Sequence, residues 1–337
     1  MILELSADDA ADICNLADAL ARHYSSVETG TFADECAVTH GDLPKAVRQA
    51  LYPLRSLRQD RGYLLIRGIP LEDEAIGPSP STWDAPWGDV PYKRQEIIQC
   101  LLTSSLGEIF GWRTQENGRY LRHIVPMEKD KHEQLGTSSA VDLLWHTEEA
   151  FHPCRADYIS IMCYRNSERA VTHLACVEDL SLDEATVSVL HERRFYIEPD
   201  KSHFPENNES QHWGVENDRF AHVYEMFKNP RPVPALVEEG GVTTFCVDQA
   251  FMRAAEGDVE AELALDALYK GLDDCKLELV LRPGDLLIVD NHRTAHGRSV
   301  YDPDYGPKQR WLRRVNVMAD LRKSLAFRQD ATSRVLV

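Results

Sequence analysis

Leu144-Trp145-His146-Thr147-Glu148-Glu149-Ala150-Phe151-His152-Pro153 is the stretch whose reading decides the fold. It sets a His-x-Glu pair in an apolar, strand-like context. Residues i and i+2 of an extended strand point to the same side, so His146 and Glu148 can reach one metal ion together. Taken alone, a His-x-Glu pair is common by chance, and a solvated strand pair or capping histidine is its ordinary reading. The motif needs a third ligand.

That ligand is sought in Arg282-Pro283-Gly284-Asp285-Leu286-Leu287-Ile288-Val289-Asp290-Asn291-His292-Arg293-Thr294-Ala295-His296-Gly297-Arg298. Pro283-Gly284-Asp285 reads as a turn, and Leu286 to Val289 as a short buried strand. A second turn at Asp290-Asn291 leads to His296, just before Gly297. Two histidines and a carboxylate on one face of an octahedron leave three positions open, the arrangement used by non-haem Fe(II) oxygenases. Beyond it, Arg310-Trp311-Leu312-Arg313-Arg314-Val315-Asn316-Val317 alternates as a strand. Arg310, Leu312 and Arg314 share one face. Arginines on a partly apolar face are costly unless they meet anions, and a guanidinium grips a carboxylate with two parallel bonds. A dicarboxylate such as 2-oxoglutarate suits a metal and an arginine together.

These motifs, with Arg155-Ala156-Asp157-Tyr158, Gly-Asp-Leu-Leu-Ile-Val-Asp-Asn, Ala-His-Gly-Arg and Gln-Arg-Trp-Leu-Arg-Arg, resemble the clavaminate synthase-like branch of Fe(II)/2-oxoglutarate oxygenases. Within it the pattern is most similar to the arginine and enduracididine β-hydroxylases of peptide-antibiotic pathways, with asparagine and lysine hydroxylases as neighbours. The resemblance runs from about Gly62 to the C-terminus. It implies a mainly β fold with flanking helices around a double-stranded β-helix (jelly-roll) core. It also implies Fe(II) on His146, Glu148 and His296, and 2-oxoglutarate held by Arg310 with the Thr172 hydroxyl near its tail. The substrate of the resembling enzymes is a free amino acid. Its α-carboxylate would meet Arg314, its α-amino group Gln115, and a cationic side chain Asp200 and Asp248, with Ser139 a further hydrogen-bonding group. Those relatives often carry a second acid two residues after Asp248. Here it is Ala250, which thins the clamp and leaves room for lysine, a cyclic guanidine or another polar amino acid. Because Glu148 keeps the carboxylate ligand, hydroxylation rather than halogenation is expected. The rivals are a carrier-tethered substrate and a metal-binding jelly roll without oxidation chemistry, since His-Glu-His also suits zinc.

The remaining sequence is consistent with a single oxygenase domain over 1–337. Its 337 residues are 43% hydrophobic, ordinary for a globular chain. No run reaches the length of a membrane span, and Met1-Ile2-Leu3-Glu4-Leu5 lacks the basic flank of a signal peptide. The eight cysteines show no Cys-x-x-Cys pair and read as reduced thiols of a cytoplasmic protein. A formal charge of −18 disfavours nucleic acid and is compatible with a small cationic substrate. Amphipathic helices are predicted over 7–24 and 43–58, in an N-terminal helical segment (1–60) packed on the core. Another helix is predicted over 92–110, and one over 258–275 with Val259, Leu263, Ala267 and Leu268 on one face. Residues 71–90 read as a surface loop. Polar stretches at 126–140 and 201–218 are expected to form lids over the site. His203 and His212, in the second of these, are expected to be solvated rather than ligands.

Overall fold

The computed structural model describes residues 1–85, 88–208 and 217–337. Along the chain its strands are β1 (Ile2–Glu4), β2 (Tyr63–Arg67), β3 (Glu108–Trp112), β4 (Leu121–Ile124), β5 (Leu143–His146), β6 (Tyr158–Arg165), β7 (Val171–Cys176) and β8 (Phe195–Ile197). They continue as β9 (Leu236–Glu239), β10 (Val242–Phe245), β11 (Met252–Ala254), β12 (Leu277–Val280), β13 (Leu286–Asp290), β14 (Thr294–Arg298), β15 (Trp311–Met318) and β16 (Val335–Leu336). The α-helices are α1 (Ala7–Ala21), α2 (Gly30–Thr39), α3 (Lys45–Arg55), α4 (Lys93–Ser104), α5 (Glu184–Leu190), α6 (Ala221–Lys228) and α7 (Val259–Asp274).

The larger sheet runs β1-β2-β13-β6-β15-β3-β16, with β4 also on β15, and a smaller one runs β12-β7-β14-β5. The period-2 alternation of each strand sorts its side chains into separate cores. On β15, Trp311, Val315 and Val317 join a cluster with Ile13, Leu51 and Leu101 of α1, α3 and α4. Leu312 and Met318 of the same strand point the other way and pack with Leu174 and Cys176 of β7. The two sheets therefore face each other across that second cluster. A third cluster puts Trp145, Ala175 and Ala295, from the far face of the small sheet, against α5 and α7. The site lies between the facing sheets.

Several elements differ from expectation. The helix predicted over 92–110 stops at Ser104, and Glu108–Trp112 crosses into the large sheet as β3. Gly107 and Gly111 sit where an added Cβ would strike backbone, at 2.4 Å from Met318 O and 2.3 Å from Gly118 O. The close approach needs glycine and ends the helical pattern. The buried side of α7 is Ala261, Ala264, Leu265, Leu268 and Leu272, while Val259 and Leu263 are exposed. Apolar residues occupy both faces of that helix, and of the four grouped by spacing Leu268 is fully buried. The N-terminal 60 residues also supply β1, which pairs in parallel with β2. The 71–90 loop buries Ile76, and Arg165 of β6 holds it by bonds to Asp73 and to Gly77 O. Among the described residues no helix is long and apolar enough to cross a membrane.

Candidate active site

His146 ends β5, and its direct cross-strand partner on β14 is His296. Directly opposed residues in an antiparallel pair share a face, so both imidazoles project from the inner side of the small sheet. Their ring centroids are 4.2 Å apart. Gly297 makes the pairing possible: a Cβ there would lie 2.6 Å from Leu143 O. Glu148 is past the end of the strand, so strand periodicity is not what aims it. Asn291 clips its backbone from both sides, accepting from Glu148 N (2.7 Å) and donating to Glu148 O (3.0 Å). The next residue, Glu149, has φ +48°, a left-handed conformation that a non-glycine side chain adopts only under constraint.

The ligand atoms of His146, Glu148 and His296 all lie within 4.8 Å of one another. Their electrostatics suit a divalent metal. His146 Nδ1 is 2.8 Å from Leu144 O and donates to it, which leaves Nε2 with a free lone pair directed at the site. Burial, then the neighbouring His296, lowers the His146 imidazolium to about 4, so the ring is a neutral ligand at pH 7. Burial alone would push the Glu148 carboxyl up. Arg314 and the two histidines overcome that effect and hold it well below its ordinary range. Arg314 makes a close ion pair with Glu148.

Around the triad the pocket wall includes Thr172, Arg298, Arg310, Leu312 and Arg314, together with Asp200, Asp248 and Ala250; Asp248 is the bridge partner of His146. Arg310 is 4% exposed and stacks over Tyr301, with the guanidinium carbon 5.4 Å from the ring centroid. Its Nε and Nη1 are buried without a hydrogen-bond partner. An unpaired buried guanidinium is costly, so these atoms fit an incoming carboxylate. Thr172 is opposite Arg298 in the β7–β14 register, on the same wall. Burial, then nearby Asp200, raises Asp248 to about 8; two backbone N–H groups, of Phe251 and Ala250, partly offset this. Two acids in mutual repulsion fit a cationic group.

Two expected contacts are not at the wall. Gln115 stands behind it with both ends of its amide engaged: Oε1 accepts from Arg122 (2.5 Å) and Nε2 donates to Ser202 (2.5 Å). Ser139 Oγ meets Tyr305 Oη at 3.3 Å, away from the pocket, while Ser138 accepts from Arg298. His203 is no ligand, but it is fully buried rather than solvated. Its Nδ1 bonds Thr114 Oγ1 at 2.8 Å, and its ring packs on Trp112 and Phe151. His212 lies outside the described residues.

Four residues at the site went unread in the sequence: Arg122, Glu149, Asn291 and Arg298. Arg122 is the direct partner of Arg314 on β4, so two like charges stand side by side, with Glu116 bonded to one and Glu148 to the other. Arg298 belongs to the quoted Ala-His-Gly-Arg motif, and its donors go to Ser138 and Val141 O.

The chain is 35% identical to the enduracididine beta-hydroxylase of Streptomyces hygroscopicus, covering 100% of this chain and 99% of that protein. It is 32% identical to the L-ornithine/L-arginine 3-hydroxylase of Catenulispora acidiphila, over 99% of each. Among solved structures it superposes on the non-heme iron oxygenase OrfP in complex with Fe, succinate and (3S)-hydroxy-L-Arg. The TM-score is 0.93 at 33% identity, and all of both chains is covered. Residues 29–316 match the family model described as taurine catabolism dioxygenase TauD, TfdA family. The chain belongs to the TauD/TfdA dioxygenase family.

Proposed function

We propose that this protein is an Fe(II)/2-oxoglutarate-dependent hydroxylase of a free cationic L-amino acid, arginine or a related guanidino amino acid, acting at Cβ or Cγ in specialised, antibiotic-type metabolism. The observation that carries the reading is the pairing of the His146–Glu148–His296 cluster with the partnerless, buried Arg310 in one pocket. Enduracididine and arginine hydroxylases among its relatives support the substrate class.

His146, Glu148 and His296 would hold the iron; Arg310, with Thr172 beside it, would hold the far carboxylate of 2-oxoglutarate. Bound together, iron and 2-oxoglutarate activate O2 for insertion of one oxygen atom into an unactivated C–H bond, with succinate and CO2 as co-products. The protein's own part is to bind and aim. Arg314 takes the substrate α-carboxylate, and Asp200 with Asp248 takes the cationic end, so the intervening carbons cross the metal cluster. Leu143, Leu144, Ile161 and Leu312 give this region apolar walls that keep water out. Gln115 and Ser139 act from behind the wall, through Arg122, Ser202 and Tyr305. We read the two facing sheets as a double-stranded β-helix within one domain over 1–337, with 1–60 packed on its outer face. The 126–140 segment and the described 201–208 are read as its lids, joined by the Lys201–Glu133 ion pair at 2.6 Å, while 209–216 lie outside the described residues. Eight unpaired thiols support a cytoplasmic setting. Ala250 at the acidic end favours a cyclic guanidine as readily as arginine itself.

The test is a panel of free amino acids with Fe(II), ascorbate and 2-oxoglutarate, followed by succinate release and a product one oxygen heavier. Turnover with arginine or a cyclic guanidine is the expected result. Turnover with neutral residues alone would remove Asp200 and Asp248 as side-chain readers. No turnover with any free amino acid would overturn the reading.

A further inference from the structure

We infer that Arg155 is a positioning residue that sets the spacing between the metal cluster and Asp248, and with it which carbon of the substrate is oxidised. The inference rests on the amino acid hydroxylase reading above and adds a determinant of its regiochemistry. Arg155 is buried behind the pocket wall. Its guanidinium is divided between two segments. Nη1 donates to Thr147 Oγ1 at 3.3 Å, between the ligands His146 and Glu148. Nη2 donates to Phe245 O at 2.7 Å, at the end of β10 just ahead of Asp248.

The same two segments are laced to each other. Thr147 N donates to Val247 O at 2.8 Å, and Val247 N donates to Thr147 Oγ1 at 3.3 Å. The Thr147 hydroxyl donates to Val247 O at 3.2 Å, so its one proton and both lone pairs are used. Beyond the His146–Asp248 bridge, Gln249 N donates to Trp145 O at 2.8 Å. The metal-binding segment and the acid that meets the cationic end of the substrate therefore form one two-stranded unit, with Arg155 braced across its end. The brace is itself fixed from behind. Nη2 of Arg155 also meets His292 Nδ1 at 3.0 Å, and a guanidinium has no acceptor, so Nδ1 accepts. The imidazole proton is then on Nε2, which donates to Asp157 Oδ1 at 2.9 Å. Ala319 N and Lys323 Nζ, both at 2.7 Å, hold the other oxygen of Asp157. A planar fork with fixed donor spacing is what arginine supplies here and lysine would not. Neighbouring carbons are about 1.5 Å apart, so a shift of that size between Asp248 and the metal cluster presents the next carbon.

The experiment follows product regiochemistry by NMR with L-arginine, or whichever cationic amino acid the panel above turns over, in the presence of Fe(II) and 2-oxoglutarate. Wild type is compared with Arg155→Met, His292→Leu and His292→Gln. Glutamine keeps an acceptor for Arg155 and a donor for Asp157, and leucine keeps neither. Arg155→Met and His292→Leu should lower the ratio of the major to the minor hydroxylated carbon at least about tenfold and release succinate without hydroxylation. Fe(II) and 2-oxoglutarate affinities stay within about threefold of wild type in both, and His292→Gln keeps the wild-type ratio. His292→Leu leaves the guanidinium in place and decides the matter if Arg155→Met does not fold. An unchanged ratio in the folded variants would overturn the proposal. So would a loss of metal affinity in step with turnover, which would make Arg155 a support of the ligands alone. If wild-type protein turns over no free amino acid, the hydroxylase reading itself falls. Turnover of neutral amino acids alone would remove Asp248 as a reader, and the spacing role with it.

Discussion

Arg310 is one of the site's more costly residues until its anion arrives, and the sequence already marks it. An arginine on the apolar face of a strand, in register with Leu312 and Arg314, has to meet an anion, and its Nε and Nη1 are buried without a partner. Replacing Arg310 with Met should raise the KM for 2-oxoglutarate at least about 20-fold, the loss of a bidentate charged contact, while the KM for the amino acid changes little. Steady-state kinetics with each substrate varied in turn checks this; an unchanged 2-oxoglutarate KM would assign the carboxylate elsewhere. The residues that sequence reading missed share one property: position, not type, makes them functional. Glu149 looks like a solvated neighbour of a ligand until its left-handed backbone carries it into the pocket. Arg122 gains its meaning from standing opposite Arg314 across a strand pair, which nothing local in its sequence reveals. Gln115, drawn from a resemblance, and Ser139, read from its polar loop, are hydrogen-bonded here to Arg122, Ser202 and Tyr305.

At the scale of elements, the site depends on how β5 and β14 meet and on the turn after β13. β13 was legible from its continuous apolar run, because it is buried on both faces between two clusters, as are β2 and β6. β3 was not, since its Glu-Ile-Phe-Gly-Trp sequence continues the helical pattern of α4 and only tertiary glycine contacts end it. His146 and His296 were legible as ligands, but their facing register was not. That register depends on Gly297, and Gly297→Ala would drive a methyl against Leu143 O. The strands would have to part, at a cost of about 1–3 kcal/mol, and metal affinity should fall at least about tenfold while the circular dichroism spectrum stays native. Asn291→Ala removes the clip on Glu148 and leaves buried N–H and C=O groups of Glu148, and Ala156 O, unpaired. The expected result is a loss of about 1–3 kcal/mol in urea unfolding and 10- to 100-fold weaker metal binding. A variant that loses stability but binds metal with wild-type affinity would limit Asn291 to a structural role.

Over the whole molecule, buried ionisable groups set how stability depends on pH. The chain carries a formal charge of −18, and an ordinary carboxylate, with a pKa of about 4, titrates no further above pH 6.5. The groups that do titrate there are buried. Burial raises Glu96 to about 7 against the opposing Arg313, and raises Asp290 to about 7 against the opposing N–H of His292. Both would be ionised near 4 in the unfolded chain. A raised carboxyl contributes stability that is complete below the unfolded value and is lost as pH rises through the folded one. The buried histidines act in another window. Burial lowers His152 to about 3 and His203 to about 4, so their contribution is complete above 6.5 and is lost only as pH falls toward 4. Between pH 6.5 and 8 the histidines are silent and the native state still holds carboxyl protons that the unfolded state has released. Metal-free protein should therefore lose stability on going from pH 6.5 to 8, by roughly 1–2 kcal/mol from Glu96 and Asp290 together, with the raised carboxyls of Asp248 and Glu149 adding to the same loss. Urea unfolding at three pH values in that interval measures the slope. Asp290→Asn keeps the acceptor for His292 N and removes one of these titrations, so it should make the loss smaller. His203→Asn should leave this slope unchanged and instead flatten the decline below pH 6.5. A wild-type stability that rises from pH 6.5 to 8 would mean that Asp290 and Glu96 are already ionised in the native state, with Arg313 outweighing burial at Glu96.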